Sequence, residues 1–299
     1  MLNFKPLELE DRDLFLRYLG NYEFNTYEYS FLSLYLWKDY CQVEYGILED
    51  ELIIKKTEDK RGSYFMQPIG YAEEALPEII EVLIKAKQED PSFKCLFRDI
   101  EEPFLGKLQE LYGPKVKYFE ETPVFDYLYE TQKFIHLSGE KLSKRKNQVH
   151  QFLHEYNYEL KDIHHPGVKE DCYQFSKEWL KNKEVKHREL IYELEGIKNV
   201  LDHLDHLPAI GMAVYVNDRI AGYTLGEKVN RDMAIIHVEK GNTQYKGIYA
   251  FINKTFAEKY LSETAVINRE EDLGLACLKK AKEACDPLRL EKKFRVNIQ

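Results

Sequence analysis

Ala234-Ile235-Ile236-His237-Val238-Glu239-Lys240-Gly241 runs directly into Asn242-Thr243-Gln244-Tyr245-Lys246-Gly247-Ile248-Tyr249-Ala250. The first eight residues read as a strand. Ile236 and Val238 alternate with His237 and Glu239, so period-2 geometry sends the apolar pair to one face and the polar pair to the other. Beyond Gly247 a helix follows, striped by Ile248, Ile252 and Phe256. A hairpin precedes the strand, with Met212–Val216 and Ile220–Glu227 flanking Asn217-Asp218-Arg219. After the helix come a short strand at Ala265–Ile267, a helix over Leu275–Ala284 and a last strand starting at Leu288–Leu290.

The same order occurs earlier in the chain. Val43–Leu48 and Leu52–Lys55 form a hairpin, followed by a strand at Tyr64–Gln67 and a helix striped by Leu76, Ile79, Ile80, Leu83 and Ile84. A strand at Cys95–Phe97, a helix around Phe104–Tyr112 and a strand at Val116–Phe119 complete the set. Landmarks recur at near-constant offsets: Asp50 and Asp218 are 168 apart, Leu76 and Ile248 172, Leu96 and Val266 170. The polar segments after the short strands also match, Arg98-Asp99-Ile100-Glu101-Glu102 against Asn268-Arg269-Glu270-Glu271-Asp272. We read two copies of one unit in the α+β class, each a mixed, mostly antiparallel sheet flanked by helices. The expected division is residues 1–130 and residues 131–299. Helices carrying Val149, Phe152 and Leu153, and then Ile197, Val200 and Leu201, open the second copy.

With 299 residues, 44% of them apolar, the chain has ample material for buried cores, which excludes a disordered or fibrous protein. Charged residues interrupt every apolar run, so no membrane-spanning stretch is expected, and the first residues lack the build of a signal peptide. Five cysteines without a Cys-x-x-Cys pair suit a reducing compartment, and a cytoplasmic location is expected. The net charge of −9 is unevenly spread. Residues 1–130 hold 15 basic and 27 acidic side chains, whereas residues 131–299 hold 28 and 25. An anionic ligand should seek the second copy, where Lys141, Lys144, Arg145 and Lys146 are bunched.

In Ile220–Glu227, Gly222, Thr224 and Gly226 share a face of small residues and Tyr223 and Glu227 the opposite one, so a sheet face offering His237, Glu239 and Tyr223 beside small-residue clearance can line a cleft. There His237 or Glu239 can accept a proton and Tyr223 or a backbone N–H can stabilise an oxyanion. Solvated polar residues on a half-exposed sheet are the plainer alternative. The strand, the Gly-containing turn and the helix start around Gln244 and Gly247 form a possible phosphate cradle, or simply a helix start. In Asn268–Asp272, Arg269 can bind an anion and Glu271 or Asp272 an amine, although helix capping explains the same residues. His150-x3-His154 and His203-x2-His206 lack a third ligand of suitable spacing, so no metal is expected.

Gln244-x-x-Gly247 resembles the pyrophosphate loop of Gcn5-related N-acetyltransferases, departing from it at Tyr249 where a small residue is expected. His237-Val-Glu-Lys, Gln244-Tyr-Lys-Gly-Ile-Tyr, Asn268-Arg-Glu-Glu-Asp-Leu-Gly and Leu142-Ser-Lys-Arg-Lys-Asn147 together resemble the C-terminal domain family of phosphatidylglycerol lysyltransferases, from Trp37 to the C-terminus. That resemblance implies two tandem N-acyltransferase-like units, the acidic first one non-catalytic, with the active site in the second. It also implies transfer of an aminoacyl group from aminoacyl-tRNA to a lipid or peptide acceptor. His237, Glu239 and Tyr223 would then be catalytic. Gln244, Gly247, Arg269, Glu271, Asp272, Lys144, Arg145 and Lys146 would hold the donor. No tightly bound cofactor is expected; the co-substrate is aminoacyl-tRNA or acyl-CoA, and peripheral membrane contact is left open. An acyl-CoA-dependent N-acyltransferase acting on a small amine and a non-catalytic binding or scaffold protein are the alternatives.

Overall fold

The computed structural model describes residues 2–20, 22–183 and 188–299. The chain divides into two compact units, one of Met1–Phe125 with Glu291–Gln299 and the other of Asp126–Leu290.

The first unit contains β1 (Lys5–Pro6), β2 (Glu44–Leu48), β3 (Glu51–Glu58), β4 (Gly62–Phe65), β5 (Phe93–Ile100) and β6 (Val116–Glu120), with helices α1 (Arg12–Leu19), α2 (Phe31–Leu36), α3 (Leu76–Glu89) and α4 (Glu102–Tyr112). The second contains β7 (Asp126–Glu130), β8 (Tyr158–Asp162), β9 (Ile210–Val216), β10 (Arg219–Lys228), β11 (Met233–Gly241), β12 (Val266–Asn268) and β13 (Arg289–Glu291), with helices α5 (Thr131–His136), α6 (Ser143–Glu155), α7 (Val168–Lys181), α8 (Arg188–Asp202), α9 (Ile248–Tyr260) and α10 (Ala276–Glu283). The last strand is β14 (Phe294–Ile298).

Among the described residues the strands form two seven-stranded sheets, ordered β1-β2-β3-β4-β5-β14-β6 and β13-β7-β12-β11-β10-β9-β8. Each is mostly antiparallel and includes a parallel pair, β4 with β5 in one and β11 with β12 in the other. The repeat is visible in the correspondence of β2-β3-β4-β5 with β9-β10-β11-β12. Both hairpins turn through residues with positive φ, Glu49 at 57° and Asn217 and Asp218 at 49° and 60°. Asn and Asp tolerate this conformation better than most side chains, and it matches the twist of the flanking strands.

The strand next to each parallel pair departs from the division at residue 130. β7 inserts between β12 and β13, whereas β14, expected at the end of the second copy, inserts between β5 and β6. Burial explains both placements. Phe294 and Val296 of β14 belong to the core formed with Ile80, Leu83, Phe97 and Leu108. Tyr127 and Tyr129 of β7 belong to the core of the other unit.

That second core lies between the sheet and α5, α6 and α9. Phe152 and Phe251 stack in it with ring centroids 4.4 Å apart. Burying a residue the size of Phe152 contributes roughly 3–5 kcal/mol relative to alanine. Gly247, the N-cap of α9, has φ 84°, and a Cβ there would meet the Gln148 carbonyl oxygen at 2.1 Å. It is glycine because α9 starts directly against the backbone of α6.

Candidate active site

The positions of the polar residues on β11 follow from its register with β10. Tyr223 faces Lys240, Thr224 faces Glu239 and Leu225 faces Val238, but Gly226 faces Ile236. His237 is therefore the extra residue of a β-bulge. Gly226 makes the bulge possible, since a Cβ there would lie 2.3 Å from the Ile235 carbonyl oxygen. Directly opposed residues share a face. Glu239 accordingly lies on the α9 face, bonded to Asn253, while Lys240 lies on the opposite face, 2.8 Å from Glu193 of α8. His237 turns toward Glu227, which shares the face of Tyr223 and Lys240. Strict alternation puts His237 and Glu239 side by side; the bulge separates them.

β11 and β12 pair over Met233–Val266, Ala234–Ile267 and Ile235–Asn268 only, and β11 then runs on to Gly241 paired with β10 but free along its β12 edge. Two polar bridges cross from this free stretch to the segment after β12. His237 Nδ1 lies 2.8 Å from Glu270 Oε1, and its Nε2 lies 2.9 Å from Glu227 Oε1. Glu239 accepts hydrogen bonds from the Arg269 guanidinium, one of them at 3.2 Å.

With a carboxylate at each ring nitrogen, His237 is held as an imidazolium that donates twice. Burial works against its charge, but the hydrogen bonds and charges of Glu227 and Glu270 outweigh it and raise the pKa to about 9. Burial pushes Glu270 up to about 7, partly offset by His237 and reinforced by the charge of Glu271. Glu270 is thus poised near neutrality.

The Asn268–Gly274 segment is built around this carboxylate. Glu270 has φ 57°, and its N–H donates to Asn268 Oδ1 at 2.7 Å. Asn268 in turn donates to Asp126 at 2.8 Å. Lys282 of α10 donates to the backbone carbonyls of Arg269 and Glu270, the latter at 3.3 Å. Asp272 accepts from Tyr127 Oη at 2.7 Å and from the Gly274 N–H at 2.8 Å. Its role there is to shape the turn.

Arg269 is enclosed by Glu239, the Cys285 sulfur at 3.2 Å and the rings of Tyr129 and Phe134. The charge of Glu239 overrides burial and keeps the guanidinium protonated. Both members are therefore committed to each other, the acid as much as the base. Arg145 donates to Asn253, which bonds Glu239, so a polar chain runs from α6 to Arg269. Lys144 and Lys146 are exposed on α6, Gln244 is exposed in the loop before α9, and Glu271 is half-buried.

The small-residue face of β10 is occupied by protein. A Cβ on Gly222 would lie 2.6 Å from the Lys240 carbonyl oxygen. Tyr223 is fully buried, its hydroxyl 2.5 Å from Ser176 Oγ of α7, and burial raises its pKa far above the usual tyrosine range. We expect Tyr223→Phe to cost about 1 kcal/mol of stability in urea titrations, the usual worth of one such hydrogen bond. Any transfer rate should be nearly unchanged; a loss of a hundredfold at intact stability would restore Tyr223 as an oxyanion donor.

The first unit carries a counterpart of the histidine bridge. Tyr64 of β4 bonds Glu58, and its hydroxyl lies 3.1 Å from Asp99, which has φ 54°. Asp99 follows Arg98 as Glu270 follows Arg269, and Arg98 pairs with Glu121 as Arg269 pairs with Glu239. A further cation, Lys56, lies 3.4 Å from Asp99. Burial would raise Asp99, but Lys56 and nearby cations bring it down to about 2. That carboxylate stays ionised and neutralised, unlike Glu270.

Sequence reading missed Glu227 and Glu270 as the partners of His237. The repeat as aligned on the sequence sets Glu270 opposite Ile100; shifting it by one position, which brings Arg98 onto Arg269, would have matched Glu270 with Asp99. Glu227 was legible only as sharing the Tyr223 face of its strand; its approach to His237 depends on the bulge. Among the described residues no group of His, Cys, Asp and Glu side chains is arranged to hold a metal, and no helix is long and apolar enough to cross a membrane.

Residues 20–297 match the family model described as phosphatidylglycerol lysyltransferase, C-terminal. The chain belongs to this family. A curated relative, an uncharacterised protein of Mycoplasmoides gallisepticum, is 24% identical over 177 residues, a match spanning 58% of this chain and 56% of that protein. A conserved protein of unknown function from Bacteroides thetaiotaomicron superimposes over 100% of both chains with a TM-score of 0.89 and 26% identity. The structure of L-PGS from Bacillus licheniformis does so over 98% of this chain and 92% of its own, with a TM-score of 0.67 and 15% identity. A tandem GNAT protein from the clavulanic acid biosynthesis pathway matches over 99% and 97%, with a TM-score of 0.53 and 9% identity. The fold of this family member is therefore the tandem N-acyltransferase-like one.

Proposed function

We propose that this protein is an aminoacyltransferase that takes an aminoacyl group from aminoacyl-tRNA and places it on an amine or hydroxyl of a lipid or peptide acceptor. Membership of the lysyltransferase C-terminal family supports an acyl or aminoacyl transferase of this type. The observation that carries the site assignment is the clamped His237, set between Glu227 and Glu270 where β11 and β12 part.

In this reading Glu270 is the proton acceptor and His237 its positioning residue. The acceptor nucleophile attacks the ester carbonyl carbon while its proton passes to Glu270. The tetrahedral intermediate then collapses, the carbon–oxygen bond to the ribose breaks, and Glu270 returns the proton to the departing oxygen. The imidazolium of His237 keeps the carboxylate oriented and lowers the cost of its negative charge. His237 itself, already protonated, is a poor base. Lys144 and Lys146 are the exposed cations we assign to donor phosphates.

An acyl-CoA donor finds less support. A Cβ on Gly241 would already lie 3.3 Å from the Tyr249 ring, which crowds the start of α9. Gly247 is accounted for by the approach of α6.

The test incubates the pure protein with labelled aminoacyl-tRNAs or acyl-CoAs and with lipid and peptide acceptors. Transfer from aminoacyl-tRNA, weakened steeply by salt, is the expected result. Transfer from acyl-CoA alone, or from no donor, would overturn the proposal.

A further inference from the structure

β6 is the last strand of the first unit's sheet, paired with β14 on one side and open along the other edge. The pairing is regular over Val116–Glu120, without a bulge, and Pro114 and Pro123 lie outside it. The Glu121 N–H donates to the Lys293 carbonyl at 3.3 Å and the Gln299 N–H to the Lys115 carbonyl at 3.1 Å. Odd-numbered residues therefore bond β14, and alternation turns the N–H and C=O of Tyr118 and Glu120 to the open edge, with the Val116 carbonyl. The Val116 N–H is bonded to the Gly113 carbonyl. Lys117, Tyr118, Phe119 and Glu120 are all exposed. At 56%, Phe119 is the most exposed large apolar side chain among the described residues, and Tyr118 reaches 46%. Edge strands are commonly blunted by a proline, a bulge or a row of like charges. β6 carries none of these.

We propose that β6 pairs with β6 of a second copy of this chain, antiparallel and about a twofold axis at Tyr118, joining the two first-unit sheets into one. The order of charges selects this partner. Lys115-Val116-Lys117-Tyr118-Phe119-Glu120-Glu121 is basic at its start and acidic at its end. Antiparallel self-pairing sets the basic half of each strand against the acidic half of the other. With Tyr118 on the axis, that residue exchanges both edge hydrogen bonds with its own copy, and each Glu120 N–H donates to the Val116 carbonyl opposite. The side chains suit the same register. On one face Tyr118, whose ring lies 6.0 Å from that of Phe294, meets Tyr118 of the second copy. On the other, Phe119, already covered by Arg295 at 4.7 Å, meets the second copy's Lys117. Lys115 stands opposite the second copy's Glu121, the acid that also pairs with Arg98.

A parallel copy would set lysines against lysines and glutamates against glutamates, and a partner of one charge would match only half of the strand. One strand pair is a small interface, below about 1,200 Å² in total, so association should be reversible. The proposal does not depend on the transferase reading and is measured without it.

The experiment is sedimentation equilibrium of the full chain between about 1 and 100 µM, where a monomer–dimer equilibrium is expected. Lys115→Glu with Lys117→Glu, and separately Glu120→Lys, should each weaken the dimer by about tenfold or more. An equal mixture of these two variants should associate again, because their strands are complementary. Tyr118→Pro removes an N–H that β14 does not use and should abolish association. Leu153→Glu, at an exposed leucine of α6, should leave it unchanged. Tyr118→Cys, made with Cys277→Ser to remove the exposed native thiol, should form an intermolecular disulfide on oxidation. Phe119→Cys in the same background should not, since only residue 118 faces its own copy. Circular dichroism checks that each variant is folded.

A chain that stays monomeric throughout this range would overturn the proposal and leave the edge to a strand of another protein. Association that ignores the β6 variants, or is lost in Leu153→Glu, would also overturn it by placing the contact elsewhere. Failure of the mixed charge variants to associate would overturn the antiparallel pairing. A disulfide through Phe119→Cys in preference to Tyr118→Cys would overturn the register.

Discussion

Glu270→Gln should lower the rate of aminoacyl transfer by about 10²–10⁴-fold, the usual contribution of a well-placed general base. The amide keeps the size of the side chain and can still face His237, so the fold should persist while proton transfer is lost. The pH profile carries the sharper signature. Glu270 must be ionised, so activity should rise as pH passes about 7. It should fall again above about 9, where His237 loses the proton that holds both carboxylates. If His237 were the base, activity would need it neutral and would keep rising through pH 9. Steady-state rates between pH 5 and 10 on a common acceptor distinguish the two. His237→Gln should lower kcat with little change in KM and abolish the fall above about pH 9, since glutamine has no proton to lose there, as befits a positioning residue.

The same residues link pH to stability. The folded-state pKa of His237 lies above its ordinary 6.5, so its stabilising contribution is complete below about 6.5 and is lost as pH rises through about 9. Glu270 is also raised, from 4.5 to about 7, and its contribution runs in the same direction over a lower window. Resistance to urea should therefore decline between pH 5 and 9.

Arg269→Ala is expected to destabilise the protein by about 3–5 kcal/mol, the typical effect of removing one partner of a buried ion pair. The guanidinium is 8% and the Glu239 carboxylate 16% exposed, so the acid left behind would have little access to water. The Cys285 sulfur and the rings of Tyr129 and Phe134 would lose their neighbour as well. Equilibrium urea unfolding at pH 7 reads the effect. Glu239→Gln with Arg269→Met should recover much of the loss, because the pair is removed together. A single Arg269→Ala variant as stable as the parent, with donor affinity reduced instead, would show that the arginine serves the ligand.

Much of the architecture was legible in local patterns. Hairpins, striped helices and the repeat at about 170 residues follow from alternation, helical periodicity and turn residues, all properties of neighbours in the chain. The Asn268–Gly274 segment was visible as unusual for the same reason. The parting of roles within it was not. Arg269 looked available to an anion, Glu271 and Asp272 to an amine, but the structure commits Arg269 to Glu239 and Asp272 to Tyr127.

The strand exchange was hidden because β7 and β14 carry no local mark of their sheet. Their apolar residues choose a partner by long-range burial. The bulge was hidden too, since one extra residue in β11 reverses the facing of all that follows, and only the pairing with Gly226 reveals it. The sequence by itself thus determined the order of elements, the duplication and the concentration of polar residues in the second copy. Only the tertiary structure decided which acids meet His237, because that depends on register and burial between segments distant in the chain.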